Sequence, residues 1–324
     1  MRTSIVLSAF AGLVFLTGGP VIQVTLEDNS PRLFSPGVIS GAADDMSPAF
    51  SPDGRMVFFT RSNASSSTIM MSWLRNGHWS TPAIAPFSGE WRDLEASMAP
   101  DGSYLVFASN RPATGNGKPL DGHYSGRTVD AGGGNLWKVE RQGTTWGTPT
   151  RLPDSINQGT SVFSPSISAN GSLYFMKPDS AGRFHILRSQ YQAGTFLAPT
   201  PVAVGDSTTD EVDPAVAPDE SFIVYSSSHP SQKDPKRLFI ALAGSNGWDR
   251  PQDLGDEVNE TGGNIEARLS PNHLNLYFST NTVPPTTFPR SRDYAQRELA
   301  EMTVWANGRE NIWFASLAPW LNTR

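Results

Sequence analysis

Cysteine is absent from the 324 residues. That excludes disulfides, thiolate-held metals, a cysteine nucleophile and a lipid-modified cysteine anchor. Charge is scarce as well, at 17% of residues, and its net value is −6. A chain without a basic face cannot gather phosphates, so nucleic acid is excluded as a partner. No Gly-x-Ser-x-Gly elbow occurs, which speaks against a serine hydrolase of that type. The glycine run Gly132-Gly133-Gly134 has no Lys-Ser/Thr pair behind it, so it is no phosphate loop. The five histidines (78, 123, 185, 229, 273) are too scattered for a zinc site. Long apolar runs are missing too. Residues 5–16 are apolar apart from Ser8, behind Arg2 and ahead of Thr17-Gly18-Gly19-Pro20, a stretch shorter than the roughly 18–20 residues that span a bilayer. This reads as a secretory signal peptide over residues 1–20, with an uncleaved anchor extended by Val21 and Ile22 as the alternative. An exported, periplasmic or secreted chain is expected, with a single domain over 21–324 and no membrane span after cleavage.

What is abundant is glycine (29) and proline (26), with aromatics at 10%. That mix suits short strands and tight turns and opposes coiled coils. One tetrapeptide recurs: Ser51-Pro52-Asp53-Gly54, Ala99-Pro100-Asp101-Gly102, Ser168-Ala169-Asn170-Gly171, Ala217-Pro218-Asp219-Glu220 and Ser270-Pro271-Asn272-His273. An alternating run precedes each copy, and an apolar run ending at Phe59, Phe107, Phe175, Tyr225 or Phe278 follows it. A second marker keeps the same period, an aromatic three residues before a proline: Trp79 and Pro82, Trp146 and Pro149, Phe196 and Pro199, Trp248 and Pro251. Each unit reads as four strands, the first two joined at the Pro-Asp-Gly turn. One such sheet cannot bury both faces, whereas stacking the sheets around an axis does so.

The spacing therefore predicts an all-β fold, a five-bladed β-propeller with four-stranded blades. The fifth unit lacks its outer strand, and a spare strand lies at residues 31–34. Pairing it beside residues 311–317 closes the ring and removes an exposed edge. The repeated Trp79, Trp146 and Trp248 are expected in the core between blades.

The Ser-Pro-Asp-Gly turn, its apolar strand and Ala108-Ser109-Asn110-Arg111-Pro112 resemble the Pro-Asp propeller repeat of the TolB type. The tracts WGTPTRLPDSIN (146–157) and WDRPQDLGDEVN (248–259) resemble exported, WD40-like envelope proteins built from such repeats. The resemblance implies a propeller that binds partners and names no ligand. TolB itself carries six blades and a separate amino-terminal domain; neither shows in this sequence, so the relation is one of repeats.

Five residues before the second residue of each turn stand Ser47, Glu95, Ser164, Asp213 and Glu266, and two positions earlier Asp45, Asp93, Val162, Glu211 and Asn264. These positions fall at the start of the strand lining the channel. Glu95, Asp213 and Glu266 are expected to converge at an acidic mouth, with Asp93 and Glu211 beside them. Arg111 and His123 are candidate ligand contacts, as is Trp305, which stands outside the repeat. Insertions at residues 112–134 and 281–310 are expected to wall a shared pocket over the first blade, and residues 292–301 to form a short helix.

The expected function is non-catalytic: the loop-rich acidic face binds a protein, peptide or glycan of the envelope. Paired carboxylates can also cleave glycosidic bonds, and five-bladed glycan hydrolases use three acids at such a mouth; a hydrolase using Glu95, Asp213 and Glu266 is the alternative. No cofactor is required by any motif. A calcium ion suits oxygen-rich mouths, although no EF-hand spacing supports one. A third reading makes the acids architectural, accepting hydrogen bonds from neighbouring N–H groups.

Overall fold

The computed structural model describes residues 30–205, 208–228, 235–259, 263–283 and 285–322. The expected signal segment and His229 lie outside them. Among the described residues no helix is long and apolar enough to cross a membrane.

Five antiparallel sheets surround a central channel. The innermost strands are Asp44–Phe50, Asp93–Met98, Phe163–Ile167, Glu211–Val216 and Ile265–Leu269, each next to its neighbours around the ring. The second strands are Met56–Ser62, Tyr104–Ser109, Leu173–Pro178, Phe222–Ser227 and Asn275–Thr280. These are nearly continuous apolar runs because both faces are covered by adjacent blades; Phe222–Ser227 is buried at every position. The third strands are Ser67–Arg75, Asn135–Gln142, Phe184–Ser189, Arg237–Gly244 and Asn311–Ser316.

The outer strand is not one piece. In the second blade Thr145–Trp146 pairs with one end of Asn135–Gln142, and Thr150–Arg151 pairs further along it. Pro149 lies between the two pieces, where it has no N–H to give to a ladder. The aromatic-to-proline marker thus records a split edge strand. The aromatic itself turns inward: the Trp146 ring meets Phe58 of the first blade edge-on at 5.3 Å.

The recurrent tetrapeptide has a local cause. Asp53 Oδ1 accepts from Ser51 Oγ and the Arg55 N–H; Asn170 and Asn272 make both corresponding bonds, while Asp101 and Asp219, whose turns begin with alanine, accept the N–H of Ser103 and Ser221. The fourth residue has positive φ in every copy, at Gly54 (67°), Gly102 (73°), Gly171 (83°), Glu220 (57°) and His273 (58°). The two tracts ending in asparagine are explained as well. Asn157 Oδ1 accepts from the Leu136 N–H while its Nδ2 donates to the Leu136 carbonyl, and Asn259 does the same at Leu238.

The ring closes as expected. Arg32–Leu33 runs antiparallel to Asn311–Ser316, with Arg32 opposite Phe314 and Leu33 opposite Trp313. The Phe34 N–H then donates to the Ile312 carbonyl at 2.8 Å. Phe34 packs edge-on against Phe50, Trp79 and Tyr277, with ring centroids 5.1–5.8 Å away.

The insertions differ from expectation. Residues 112–134 form a hairpin, Gly122–Tyr124 with Arg127–Val129, that leans onto the third blade: the Ser125 N–H donates to Gly182 and the Tyr124 ring meets Phe163 and Phe184. In the second insertion, residues 285–310 carry the helix Arg292–Met302 and lean onto the segment entering the first blade, through Arg309 to Asp44 and Asn307 to Ala42. Both lean the same way around the ring, so they do not share a pocket over the first blade. A tight hairpin follows the nearest apolar surface, which for Tyr124 is the exposed flank of the third blade.

Candidate functional site

Every innermost strand carries a β-bulge at the same place, where the register with the second strand slips. The bulged residue has left-handed backbone in all five blades: Ser47 (52°), Glu95 (56°), Ser164 (48°), Asp213 (56°) and Glu266 (60°). Such a conformation costs a non-glycine residue about 1–2 kcal/mol. Its recurrence makes it repeat architecture, since bulges re-aim a side chain. What is particular to this chain is that three of the five re-aimed side chains are acids.

Glu95, Asp213 and Glu266 come together on the axis, each offering a carboxylate oxygen within 4.8 Å of the others. They are buried, at 5%, 4% and 7% exposure, and so lie inside the channel below any open mouth. One oxygen of each links adjacent blades. Glu95 Oε2 accepts the Ser164 N–H at 2.7 Å, Asp213 Oδ2 accepts the Glu266 N–H at 3.0 Å, and Glu266 Oε2 accepts from Ser47 Oγ. Asp213 Oδ1 is buried without a hydrogen-bond partner among the described residues. Burial, and then the Asp213 charge, raises the Glu95 carboxyl above its ordinary range, and the same causes raise Glu266 further.

Sequence reasoning missed Arg268. Its guanidinium lies 3.4 Å from Glu266 Oε2 and 3.3 Å from Ser164 Oγ, and it is 5% exposed. The signal was available, because the equivalent position holds Ala49, Ser97, Ser166 and Ala215 in the other blades. An arginine amid small residues marks a blade-specific role. Arg268, Ser97 and Ser166 also line a cavity of about 190 Å³ on the side of the Pro-Asp turns.

The other expected contacts lie elsewhere. Arg111 is turned inward, with Nη2 2.7 Å from Asp93 Oδ1, Nε on Ser109 Oγ and its plane over Phe107 and Trp137. Asp93 is therefore held by its own blade, as Asp45 is by Arg61. Glu211 is buried, with His185 Nδ1 3.8 Å from its Oε2. His123 is exposed on the inserted hairpin, its Nδ1 3.1 Å from Thr128 Oγ1. The Trp305 ring meets Trp313 edge-on at 6.2 Å, and its carbonyl accepts from Asn311, which anchors the second insertion to the last blade. None of these five belongs to the axial cluster: Asp93, Arg111 and Trp305 are consumed by local packing, Glu211 is buried at the start of its own innermost strand, and the first insertion carries His123 outward.

A further acid stands at the foot of the second insertion. Glu310 Oε2 is buried without a partner among the described residues, and burial, then the Asp44 charge, lifts this carboxyl from 4.5 to about 7. The folded chain thus keeps a proton there that the unfolded chain releases, so stability falls as pH rises from 4.5 to 7. Burial lifts Asp45 to about 6 and adds to the same trend. Glu310→Gln is expected to match the parent at pH 4 and to exceed it at pH 8 by about 1–2 kcal/mol in urea denaturation; equal stability at both pH values refutes the assignment.

Five four-stranded blades around a channel, closed by pairing the strand at 32–33 with the last blade, define a five-bladed β-propeller. The Pro-Asp turns make it a propeller of the TolB type, and the blade count separates it from TolB itself. Solved structures that share the fold include TolB from Acinetobacter baumannii (19% identity, 70% of this chain, 46% of that one, TM-score 0.44). A protein assigned as TolB from Agrobacterium tumefaciens is 13% identical, with 85% and 91% of the two chains covered and a TM-score of 0.48. An α-L-arabinofuranosidase from Lactobacillus brevis is 9% identical, with coverages of 87% and 92% and a TM-score of 0.52. The chain spans about half the length of the Acinetobacter protein, and at these identities the likeness is one of fold. Neither a protein-family model nor a curated protein matches the sequence.

Proposed function

We propose that this chain is a non-catalytic, exported propeller that binds a protein of the cell envelope through its loop-rich face, with residues 281–310 as the principal contact. The observation that carries this reading is the second insertion's surface. Val283, Phe288, Tyr294, Leu299 and Met302 are all exposed, Phe288 at 72% and Leu299 at 60%, and the helix Arg292–Met302 buries no residue. Apolar side chains gathered on one protrusion and rimmed by charge are what a protein-binding patch requires. The expected acidic mouth is replaced in this reading by an apolar one, because the acids lie too deep to touch a partner.

The same depth disfavours the glycan hydrolase that the arabinofuranosidase likeness brings to mind. Inverting enzymes separate their carboxyls by about 6.5–9.5 Å to admit a water, and retaining enzymes place them about 5–5.5 Å apart across an accessible sugar. Here the three groups are at most 7% exposed, so a sugar ring has no open access to them.

A photo-crosslinker at position 288 is expected to trap one envelope protein. The purified pair should then bind at least about 10-fold more weakly with Phe288→Ser/Leu299→Ser, at unchanged melting temperature because neither side chain is buried. Cross-linking only to a second copy, or sugar release from xylan, arabinan or glucan fragments, would defeat the proposal.

A further inference from the structure

We propose that the channel axis holds one calcium ion, bound by Glu95, Asp213 and Glu266. The site is independent of whatever covers the loop face. Three features carry it: donor chemistry, charge and an unused ligand atom.

The donor chemistry is entirely oxygen. The five bulged residues that point to the axis are three carboxylates and two hydroxyls, Ser47 and Ser164. No histidine is among them, so the set suits a hard cation and gives nothing that favours zinc or copper. Carboxylate oxygens within 4.8 Å of one another are close enough to share one ion. Ligands drawn from separate blades suit the flexible coordination shell of calcium better than the strict octahedron of magnesium, which dehydrates reluctantly.

The charge is unbalanced. Among the described residues Arg268 is the guanidinium within hydrogen-bonding distance of the trio, and it faces three buried carboxyls. The other carboxyls have no cation bonded to them among those residues, and a divalent ion supplies one. Buried carboxyls stay ionised only when paired or bound to metal.

The unused atom is Asp213 Oδ1. Asp213 is 4% exposed, its Oδ2 is taken by the Glu266 N–H, and its Oδ1 has no partner among the described residues. A purely architectural role for the acids accounts for the interblade hydrogen bonds and leaves this oxygen unexplained. A serine would serve that role, as Ser166 Oγ does in accepting the Val216 N–H at 3.0 Å. The cavity of about 190 Å³ beside Arg268 supplies an approach from the turn side.

The test uses the full chain, stripped with EDTA and exchanged into metal-free buffer. Titration calorimetry with calcium chloride is expected to show one site per chain, and calcium at 100 times its dissociation constant to raise the melting temperature by about 5 °C. Asp213→Asn keeps the volume and the acceptor for Glu266 while removing the charge. Its calcium affinity should fall at least about 10-fold and its thermal response should vanish. Its metal-free melting temperature should equal or exceed the parent's, which separates a lost ligand from a damaged fold. Absence of a saturable calcium signal, parent-like affinity in Asp213→Asn, or magnesium binding tighter than calcium overturns the assignment.

Discussion

Replacing Phe34 by alanine is expected to lower the stability of the whole propeller by about 3–5 kcal/mol, the usual cost of truncating a buried aromatic to alanine. The strand it belongs to pairs over only two residues, Arg32 with Phe314 and Leu33 with Trp313. So short a ladder cannot hold a ring closed by backbone bonds alone. The side chain does most of the work: it is 8% exposed and wedged against Phe50 and Trp79 of the first blade and Tyr277 of the last. Its removal leaves a cavity at the junction where the ring closes, and the aromatic pairs are lost with it. The check is chemical denaturation, read as a lower midpoint at unchanged slope. Ile84→Ala, at a position 57% exposed, is the control and should stay within about 0.5 kcal/mol. A Phe34→Ala loss no larger than that control would mean that closure does not limit stability.

Arg111→Ala is the second large effect, again about 3–5 kcal/mol, because it leaves an unpaired buried carboxylate. Asp93 is fully buried; Arg111 Nη2 reaches its Oδ1 and Ser88 Oγ its Oδ2. Burial already raises the Asp93 carboxyl above the ordinary carboxylate range, with Arg111 the chief opposing influence. Without the guanidinium this raise grows. The folded state then holds a proton that the unfolded state gives up, so the loss of stability should deepen as pH rises above the ordinary carboxylate range. Asp93→Asn combined with Arg111→Ala should recover part of the loss, since no charge is left stranded. Were Arg111 instead a ligand contact, its alanine variant would denature like the parent and differ only in binding.

Much of the fold was legible because its determinants are local. A Pro-Asp-Gly turn is fixed by an Asx hydrogen bond spanning two residues, as from Asp53 to Arg55, and the apolar run behind it follows from burial on both faces. Those signals gave the blades, their number and the strand that closes them. The site was half legible. Equal spacing from each turn picked out Glu95, Asp213 and Glu266, because the repeat delivers the same bulge in every blade. It did not reveal how far down the channel they lie, nor that Arg268 joins them. Nor did it reveal the orientation of Arg111: its position after an apolar strand suits a loop, while its side chain turns back to Asp93 eighteen residues earlier.

The sequence by itself determined the repeating unit, the count of five, the closing strand and the aromatic core between blades. Each depends on contacts within a unit or on a pattern repeated along the chain. Tertiary structure alone decided that three acids from the second, fourth and fifth blades share one buried point, and that both insertions lean the same way around the ring. Those outcomes depend on the radius at which five wedges pack and on which neighbouring apolar surface a loop meets, and neither is written into any local stretch of residues.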